Sequence, residues 1–204
     1  MSFLILGFFT GLSLILAIGA QNIFVIEQGL KKNYTFLVCL ICSISDFILI
    51  FLGIFLFEYF KTYFTKNIEL VFNVLLFVFL IYFIYNKVIS LYKSSDFNFE
   101  NNSLSLKAII IKTLGFTYLN PHVYSDTVFF LGNFSKNFQV IQKYLFGLGA
   151  SVASFIFFFS LGYLAKFFSS DLVNSKSWKI INFLIIIFMT VLSSYVFMEI
   201  ISLI

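Results

Sequence analysis

Six apolar stretches fill most of this 204-residue chain, and each is long enough to cross a lipid bilayer as an α-helix. Only 11% of the residues are charged and 61% are hydrophobic, so the chain lacks the polar side chains that would cover a soluble domain. The sequence therefore predicts an all-α integral membrane protein with six transmembrane helices. These are expected at Phe3–Ile26, Phe36–Phe57, Ile68–Leu91, Ala108–Leu131, Tyr144–Phe168 and Ile180–Leu203.

One extended polar connection, Tyr92–Ser105, separates the first three spans from the last three. The chain is accordingly predicted to form a single transmembrane domain over residues 1–204. One three-span unit covers about 1–91, the connection 92–106, and a second unit about 107–204. The segment Ala17–Ala20 is similar to a signal-peptide cleavage site, but Met1-Ser2 lacks the basic residues that precede such a peptide, so a membrane helix is favoured.

The basic residues are few, and they predict an orientation rather than a nucleic-acid surface. The net charge of +4 is small and scattered. Loops 1–2, 3–4 and 5–6 carry eight lysines, and loops 2–3 and 4–5 carry four. Because lysine is enriched in cytoplasmic loops, both termini are expected outside the cytoplasm. The predicted partners are the lipid bilayer and a small molecule, with no nucleic acid and no cofactor.

Spans 2 and 5 share a pattern that indicates an internal repeat. Each places four small or polar residues on one helical face, and Asp46-Phe47-Ile48 is echoed 108 residues later by Ser154-Phe155-Ile156. A duplication of three spans inverts the second copy, as in many secondary transporters. The alternative is that small residues recur simply because they let membrane helices pack closely. Gly7 and Gly11 serve that purpose, either inside one chain or between two copies of a homo-oligomer.

The first and fourth spans are expected to be interrupted helices. Span 1 contains Gly19 and Ala20 followed by Gln21 and Asn22. Span 4 contains Asn120-Pro121-His122, and Pro121, the only proline, must bend or break the helix. In inverted-repeat transporters, such breaks form the binding site near the centre of the membrane.

Two aspartates in the apolar stretches are the strongest functional candidates. Asp46 and Asp126 each cost about 2.5–3.5 kcal/mol to insert, and intramembrane acids are functional by default. The alternative for Asp46 is a neutral, hydrogen-bonded acid that joins two helices. The residues predicted to bind substrate are Gln21, Asn22, Asp46, Asn120, Pro121, His122, Tyr124 and Asp126.

The residues of the chain also argue against several other functions. A divalent-metal exporter should be rich in His, Cys or paired acids, and the chain has one His and two Cys, so no metal site is predicted. A membrane thiol-redox carrier should have cysteines in both halves, whereas Cys39 and Cys42 both lie in span 2. A non-transporting scaffold has little reason to keep two membrane aspartates. No glycine-rich phosphate loop or catalytic triad is present, so an ATP-driven pump or enzyme is not expected.

Three segments of the chain resemble the LysE family of amino-acid exporters, and the likeness extends along the whole sequence. They are Gly19–Lys32, Leu40–Asp46 and, most specifically, Tyr118–Thr127. The likeness is greatest to the basic-amino-acid branch, which includes the ArgO-type arginine exporters. Where the family usually has proline, this chain has Ala20, so the first break is expected to be softer and to rest on Gly19 alone.

The resemblance implies export of L-lysine and/or L-arginine from the cytoplasm across the inner membrane, driven by the membrane potential or the proton gradient. Helix ends at the two breaks are then expected to hold the substrate carboxylate. Asp46 and Asp126 are expected to face its two cationic groups. His122 and Asp126 are the candidates for carrying a proton in exchange for substrate.

Overall fold

The computed structural model describes residues 2–16, 19–63, 65–93, 104–172 and 175–203, and these ranges are helical apart from short connections. They contain nine α-helices and one π-helical segment. In chain order these are α1 (Phe3–Ile15), α2 (Ala20–Leu30), α3 (Thr35–Tyr63), α4 (Lys66–Lys93), α5 (Leu106–Tyr118), α6 (Pro121–Tyr124), the π-helical segment Ser125–Phe130, α7 (Leu131–Ser135), α8 (Val140–Leu172) and α9 (Ser175–Leu203).

Four of these helices, α3, α4, α8 and α9, are long and apolar enough to cross a membrane. The pair α1 and α2 qualifies as a fifth candidate span, bent by 84° at its break. The predicted all-α membrane class is therefore confirmed. The first and fourth predicted spans each contain two described helices, α1 ending at Ile15 with α2 beginning at Ala20, and α5 ending at Tyr118 with α6 beginning at Pro121, at the two places where the sequence predicts interruptions.

The helices that precede the two breaks have the same length and the same kind of beginning. α1 and α5 are 13 residues each. Ser2 caps α1 by accepting a hydrogen bond from the Ile5 N–H at 3.4 Å, and Ser105 caps α5 by accepting one from the Ala108 N–H at 3.3 Å. The order that follows each of them is also the same, a second short helical stretch and then two long helices.

Helix α8 lies at the centre of the packing, in contact with α1, α2 and α3. α1 runs parallel to it and approaches it closely through glycine. A methyl group at Gly7 would overlap the backbone of Phe146, and one at Gly11 would lie 2.8 Å from the Cα atom of Ala150. These two glycines therefore pack helices within one chain.

Helices α3 and α8 cross in opposite directions. Cys39, near the start of α3, donates a hydrogen bond from its thiol to the carbonyl of Phe158 at 3.2 Å. Ile54, further along α3, contacts Gly147, which precedes Phe158 on α8. The remaining long helices, α4 and α9, pack mainly on each other. Only 22% of the most apolar part of each is buried, against 56% for α3 and 50% for α8, so α4 and α9 present most of their surface to lipid.

Two further crossings are made through pairs of glycines. Gly29 of α2 meets the backbone of Gly162 on α8, where an added Cβ would lie 2.5 Å from the Gly162 carbonyl oxygen. Gly132 of α7 meets Gly53 of α3 in the same manner, at 2.6 Å. The helical stretch that follows each break, which ends with α2 in the first case and α7 in the second, is thus held against a long helix by backbone contact.

Candidate functional site

The two breaks face a common cavity of about 280 Å³. Five of the residues predicted to bind substrate line it, and they come from both halves of the chain. Apolar side chains from α1, α3, α4, α8 and α9 complete the wall. The lining residues are Gly11, Leu14, Ile15, Gly19, Gln21, Asn22, Asp46, Ile50, Leu76, Asn120, Val123, Asp126, Thr127, Leu131, Phe158, Leu192, Tyr195 and Val196.

At the first break, the start of α2 lies at the cavity, where Gly19, Gln21 and Asn22 line the wall. Gly19 precedes the helix in an extended conformation and offers no side chain to cap it. The Gln21 side chain is only 6% exposed, and among the described residues its Nε2 atom has no hydrogen-bond partner. The break therefore presents a helix N-terminus and a buried amide donor at the cavity wall, although Ala20 stands where a proline was expected from the family resemblance.

Each break is bridged by a side chain that lies beyond it. Asn22 donates from Nδ2 to the carbonyl of Ile15, the last residue of α1, at 3.3 Å. Tyr124 donates from its hydroxyl to the carbonyl of Tyr118, the last residue of α5, at 2.9 Å. A carbonyl that a helix break leaves without its usual intrahelical donor is satisfied in both cases.

Not every predicted residue is placed at the cavity. Tyr124 is not among the described lining residues, and its ring instead packs against Phe72 with centroids 5.2 Å apart. The side chains of Pro121 and His122 lie outside the described residues, as does any pairing of His122 with Asp126. The backbone of Pro121 begins α6, a position that suits proline because its missing N–H has no partner at a helix start.

The two aspartates differ in their surroundings. Asp46 is 3% exposed, and its Oδ2 atom accepts a hydrogen bond from the Ser154 hydroxyl at 2.7 Å. These two side chains occupy the positions that the sequence pattern relates by 108 residues. Asp126 is half-buried in the π-helical segment, whose wider turn changes the direction of the side chains that follow it. The cavity thus receives one carboxylate from each half of the chain.

The sequence patterns did not reveal every polar group in the wall. Thr127 lines the cavity and donates its hydroxyl to the carbonyl of Val123. Tyr195 reaches the wall from α9 and donates to Glu199 at 2.8 Å. Thr127 lies directly beside Asp126 at the end of the segment Tyr118–Thr127 that carries the family resemblance, and both features point to it. Tyr195 has no signal that separates it from other membrane tyrosines.

The chemistry available in the cavity suits a small cationic molecule with polar ends. Its described lining residues include two aspartates, two asparagines and a glutamine, and no lysine. Over the described part of the chain, no group of three or more His, Cys, Asp or Glu side chains is arranged to hold a metal ion. Cys39 and Cys42 are buried free thiols on α3.

Comparison with known proteins agrees with these features. Residues 12–199 match the family described as LysE type translocator. The chain is 34% identical to the arginine exporter protein ArgO of Shigella flexneri and 33% identical to that of Escherichia coli strain K12, in each case over 88% of this chain and 85% of the relative. It is 31% identical to ArgO of Klebsiella pneumoniae strain 342, with the same coverage. No solved structure matches it. The chain belongs to the LysE type translocator family.

Proposed function

We propose that this protein exports basic amino acids, L-arginine and/or L-lysine, from the cytoplasm. It is a membrane-embedded, multi-pass transporter and not an enzyme, as its family and its apolar helices indicate. The curated relatives named above are arginine exporters that match most of the chain. The proposal rests on one observation above all, the two carboxylates that meet at a cavity between two broken helices.

The cavity is the proposed substrate site, and its size supports that assignment. Pockets that hold drug-sized ligands measure roughly 300–1,000 Å³, so about 280 Å³ is suited to a single amino acid. Such a substrate carries one carboxylate, one α-ammonium group and one cationic side chain. The site must therefore satisfy one negative and two positive groups.

The start of α2 is the proposed position of the substrate carboxylate. Helix N-termini present backbone N–H groups and a positive dipole end, and both favour an anion. The Gln21 amide adds a buried donor that has no partner among the described residues. Asn120 reaches the cavity from the other break and contributes a second amide.

Asp46 and Asp126 are the proposed partners of the two cationic groups. A carboxylate that accepts a charge-assisted hydrogen bond from a guanidinium or ammonium group recovers part of the cost of its burial. Ser154 already donates to one oxygen of Asp46, which fixes the carboxylate and leaves its other oxygen to face the substrate. One Asp from each half gives each of the two cationic groups a carboxylate of its own.

We further propose that the chain is a single domain of six membrane crossings built from two inverted repeats, about 1–91 and 107–204. The equal lengths of α1 and α5 support this, as do the two bridged breaks and the matching glycine crossings. The antiparallel crossing of α3 and α8 at Asp46 and Ser154 supports it as well, since equivalent residues of two inverted copies meet only near their common axis.

The proposed location is the inner membrane, and the proposed energy source is the membrane potential or the proton gradient. The usual potential, negative inside, opposes the exit of a cationic substrate alone by about 2.3 kcal/mol per charge per 100 mV, so it can drive export only when positive charge moves inward in exchange. Exchange for an inward-moving proton offsets that cost. His122 and Asp126 remain the proposed proton carriers, on the ground of their residue types and their position at the second break.

Efflux from dipeptide-loaded cells tests the function. Cells that express the chain are loaded with dipeptides that release arginine, lysine or a neutral amino acid, and the appearance of each in the medium is followed. We expect export of arginine and/or lysine above that of cells with an empty vector. Export of only the neutral amino acid would place the protein in another branch of the family.

A further inference from the structure

A second polar cluster lies at the far end of α2 from the cavity. Glu27 is only 1% exposed, and its carboxylate is 2.6 Å from the ammonium group of Lys31. Beside it, Gln28 is fully buried, and among the described residues neither its Oε1 nor its Nε2 atom has a hydrogen-bond partner. A buried ion pair beside an unpartnered amide is costly in a membrane helix, so a purely structural role leaves this cluster unexplained.

One face of α2 connects this cluster to the cavity. Gln21, Phe24, Gln28 and Lys31 follow one another at the three- and four-residue spacings that place side chains along a single helical face. At 1.5 Å per residue, Glu27 lies roughly 9 Å along the helix from Gln21. Among the described residues, the same face thus carries an amide nitrogen without a hydrogen-bond partner on each side of Phe24.

Three buried aromatic rings meet at Phe24, which lies between Gln21 and Gln28 along α2. Phe24, Phe83 and Phe116 are 4% exposed or less, and the ring of Phe116 lies 5.1 Å from each of the other two. On the side of Lys31, the ammonium group of Lys112 lies 5.6 Å from the centroid of Phe83. The rings therefore form an apolar barrier that already holds a cation on one of its faces, as aromatic rings do.

On the premise that the chain exports basic amino acids, we propose that Glu27 is a second binding site for the cationic side chain of the substrate, reached before the cavity. The Lys31 ammonium group occupies this carboxylate while no substrate is present, and the rings of Phe24, Phe83 and Phe116 close the path to the cavity. Lys31 carries the same functional group as a lysine substrate, and its side chain is 19% exposed, which allows it to withdraw toward water.

The exchange of one cation for another explains how a buried carboxylate can bind the substrate transiently on its way to the cavity. A buried charge is strongly destabilising when its partner is removed, and it is tolerated when a partner is always present. When the substrate takes the place of Lys31, Glu27 stays paired throughout. Lys31 and Lys32 lie in a loop of the lysine-rich face, which the charge distribution predicts to be cytoplasmic, so this is the face from which an exporter takes its substrate.

The test compares Glu27→Gln, Lys31→Met and the double variant, with Lys32→Met as the matched control, because Lys32 is the exposed neighbour of Lys31. Arginine transport into inside-out vesicles is measured over a range of concentrations, and the amount of each protein in the membrane is determined by immunoblot. We expect Glu27→Gln and the double variant to raise KM by roughly tenfold with little change in maximal rate, the loss of about one hydrogen bond to a charged group. Lys31→Met is expected to leave KM unchanged or lower, and Lys32→Met to behave as the wild type.

The double variant separates this proposal from a structural ion pair. If the pair only stabilises the end of α2, replacing both partners by neutral groups has little effect on stability, and the double variant transports like the wild type. Wild-type transport by the double variant, or a normal KM for Glu27→Gln, overturns the proposal. These two variants are sufficient for the test even if Lys31→Met does not insert into the membrane. Absence of arginine and lysine transport by the wild-type chain contradicts the proposed function itself, and so the two failures are distinguishable.

Discussion

At the scale of single residues, inserting a carboxylate into a membrane costs free energy, so a carboxylate found there indicates a function. An acid in the centre of a bilayer costs about 2.5–3.5 kcal/mol on insertion scales, which is a large share of the net stability of a protein. Asp46 is only 3% exposed and is therefore subject to this cost. The structure shows Ser154 as a hydrogen-bond donor to its carboxylate. We assign the substrate as the partner of the other carboxylate oxygen of Asp46.

Replacing Asp46 by asparagine is expected to reduce arginine export by roughly thirtyfold or more, which corresponds to about 2 kcal/mol of lost interaction with a cationic group. The amide oxygen of asparagine can still accept the hydrogen bond from Ser154, and the neutral side chain is easier to bury. The variant is therefore expected to unfold in detergent at the same temperature as the wild type or above it. Export and thermal unfolding are measured on the same preparation.

Ser154→Ala is the matched control for this experiment, because it removes the hydrogen bond and keeps the charge. We expect it to lower stability by about 1–3 kcal/mol, the cost of leaving an acceptor unsatisfied, and to retain measurable export. Normal export by Asp46→Asn would contradict the assignment of Asp46 to the substrate.

The sequence predicts much of the cavity, because polar residues in a membrane chain have few places to go. Gln21, Asn22, Asp46, Asn120 and Asp126 were singled out by type and helical phase, and all five line it. Their role in binding substrate stays a prediction. Tyr124 instead bridges the second break, a role that depends on the reach of its hydroxyl to the Tyr118 carbonyl and cannot be inferred from spacing.

At the scale of helices, the glycine crossings carry a specific mechanical prediction. Gly29→Ala is expected to destabilise the protein by about 1–3 kcal/mol, the cost of overpacking, because its new methyl group would lie 2.5 Å from the backbone of Gly162. Backbone at such a crossing cannot move aside as a side chain can. The loss is measured as a lower temperature of unfolding in detergent.

Gly19→Ala provides the control for this change. Among the described residues other than its chain neighbours, none has a heavy atom within 4 Å of the position of the new Cβ, and Gly19 has a φ of −119°, which any residue adopts. Equal stability of both variants would show that α2 and α8 do not cross as closely as described.

The boundaries of the long helices were harder to predict than their existence. Hydropathy marks the part of a helix that lies in lipid, and α3 continues from Phe57 to Tyr63 beyond that part. The π-helical segment Ser125–Phe130 was not predicted at all, since one extra residue in a helical turn leaves no mark in composition or periodicity. Both breaks were predicted, because glycine and proline are strong local signals.

At the scale of the whole molecule, the orientation predicted from lysine remains open to a direct test. Eight lysines in three loops against four in the other two predict that both termini lie outside the cytoplasm. Alkaline phosphatase fused after Ile204 is then expected to be active, since it folds only in the periplasm, and a fluorescent protein that requires the cytoplasm is expected to be dark. Fusions within Tyr92–Ser105 are expected to show the reverse pattern, and a C-terminal reporter that works only in the cytoplasm contradicts the orientation.

The membrane class follows from composition and the family from local motifs, whereas export of basic amino acids is implied by the family resemblance and stays a proposal. The relation between the two halves was accessible only in part. The 108-residue echo of Asp46 by Ser154 suggested a repeat, but that these two side chains meet is a matter of three-dimensional crossing. Sequence spacing says which residues correspond and does not say which of them touch.

The contact between Asp46 and Ser154 also fixes how far α3 and α8 can slide along each other. Two apolar helices in lipid have little to hold them in one register, because a shift by one turn, about 5.4 Å, replaces one apolar contact with another. Such a shift would separate the Asp46 carboxylate from its hydroxyl donor at the wall of the cavity and would cost the hydrogen bond between them. This pair, together with the hydrogen bond from the Cys39 thiol to the carbonyl of Phe158, therefore opposes translation of the two buried long helices along each other.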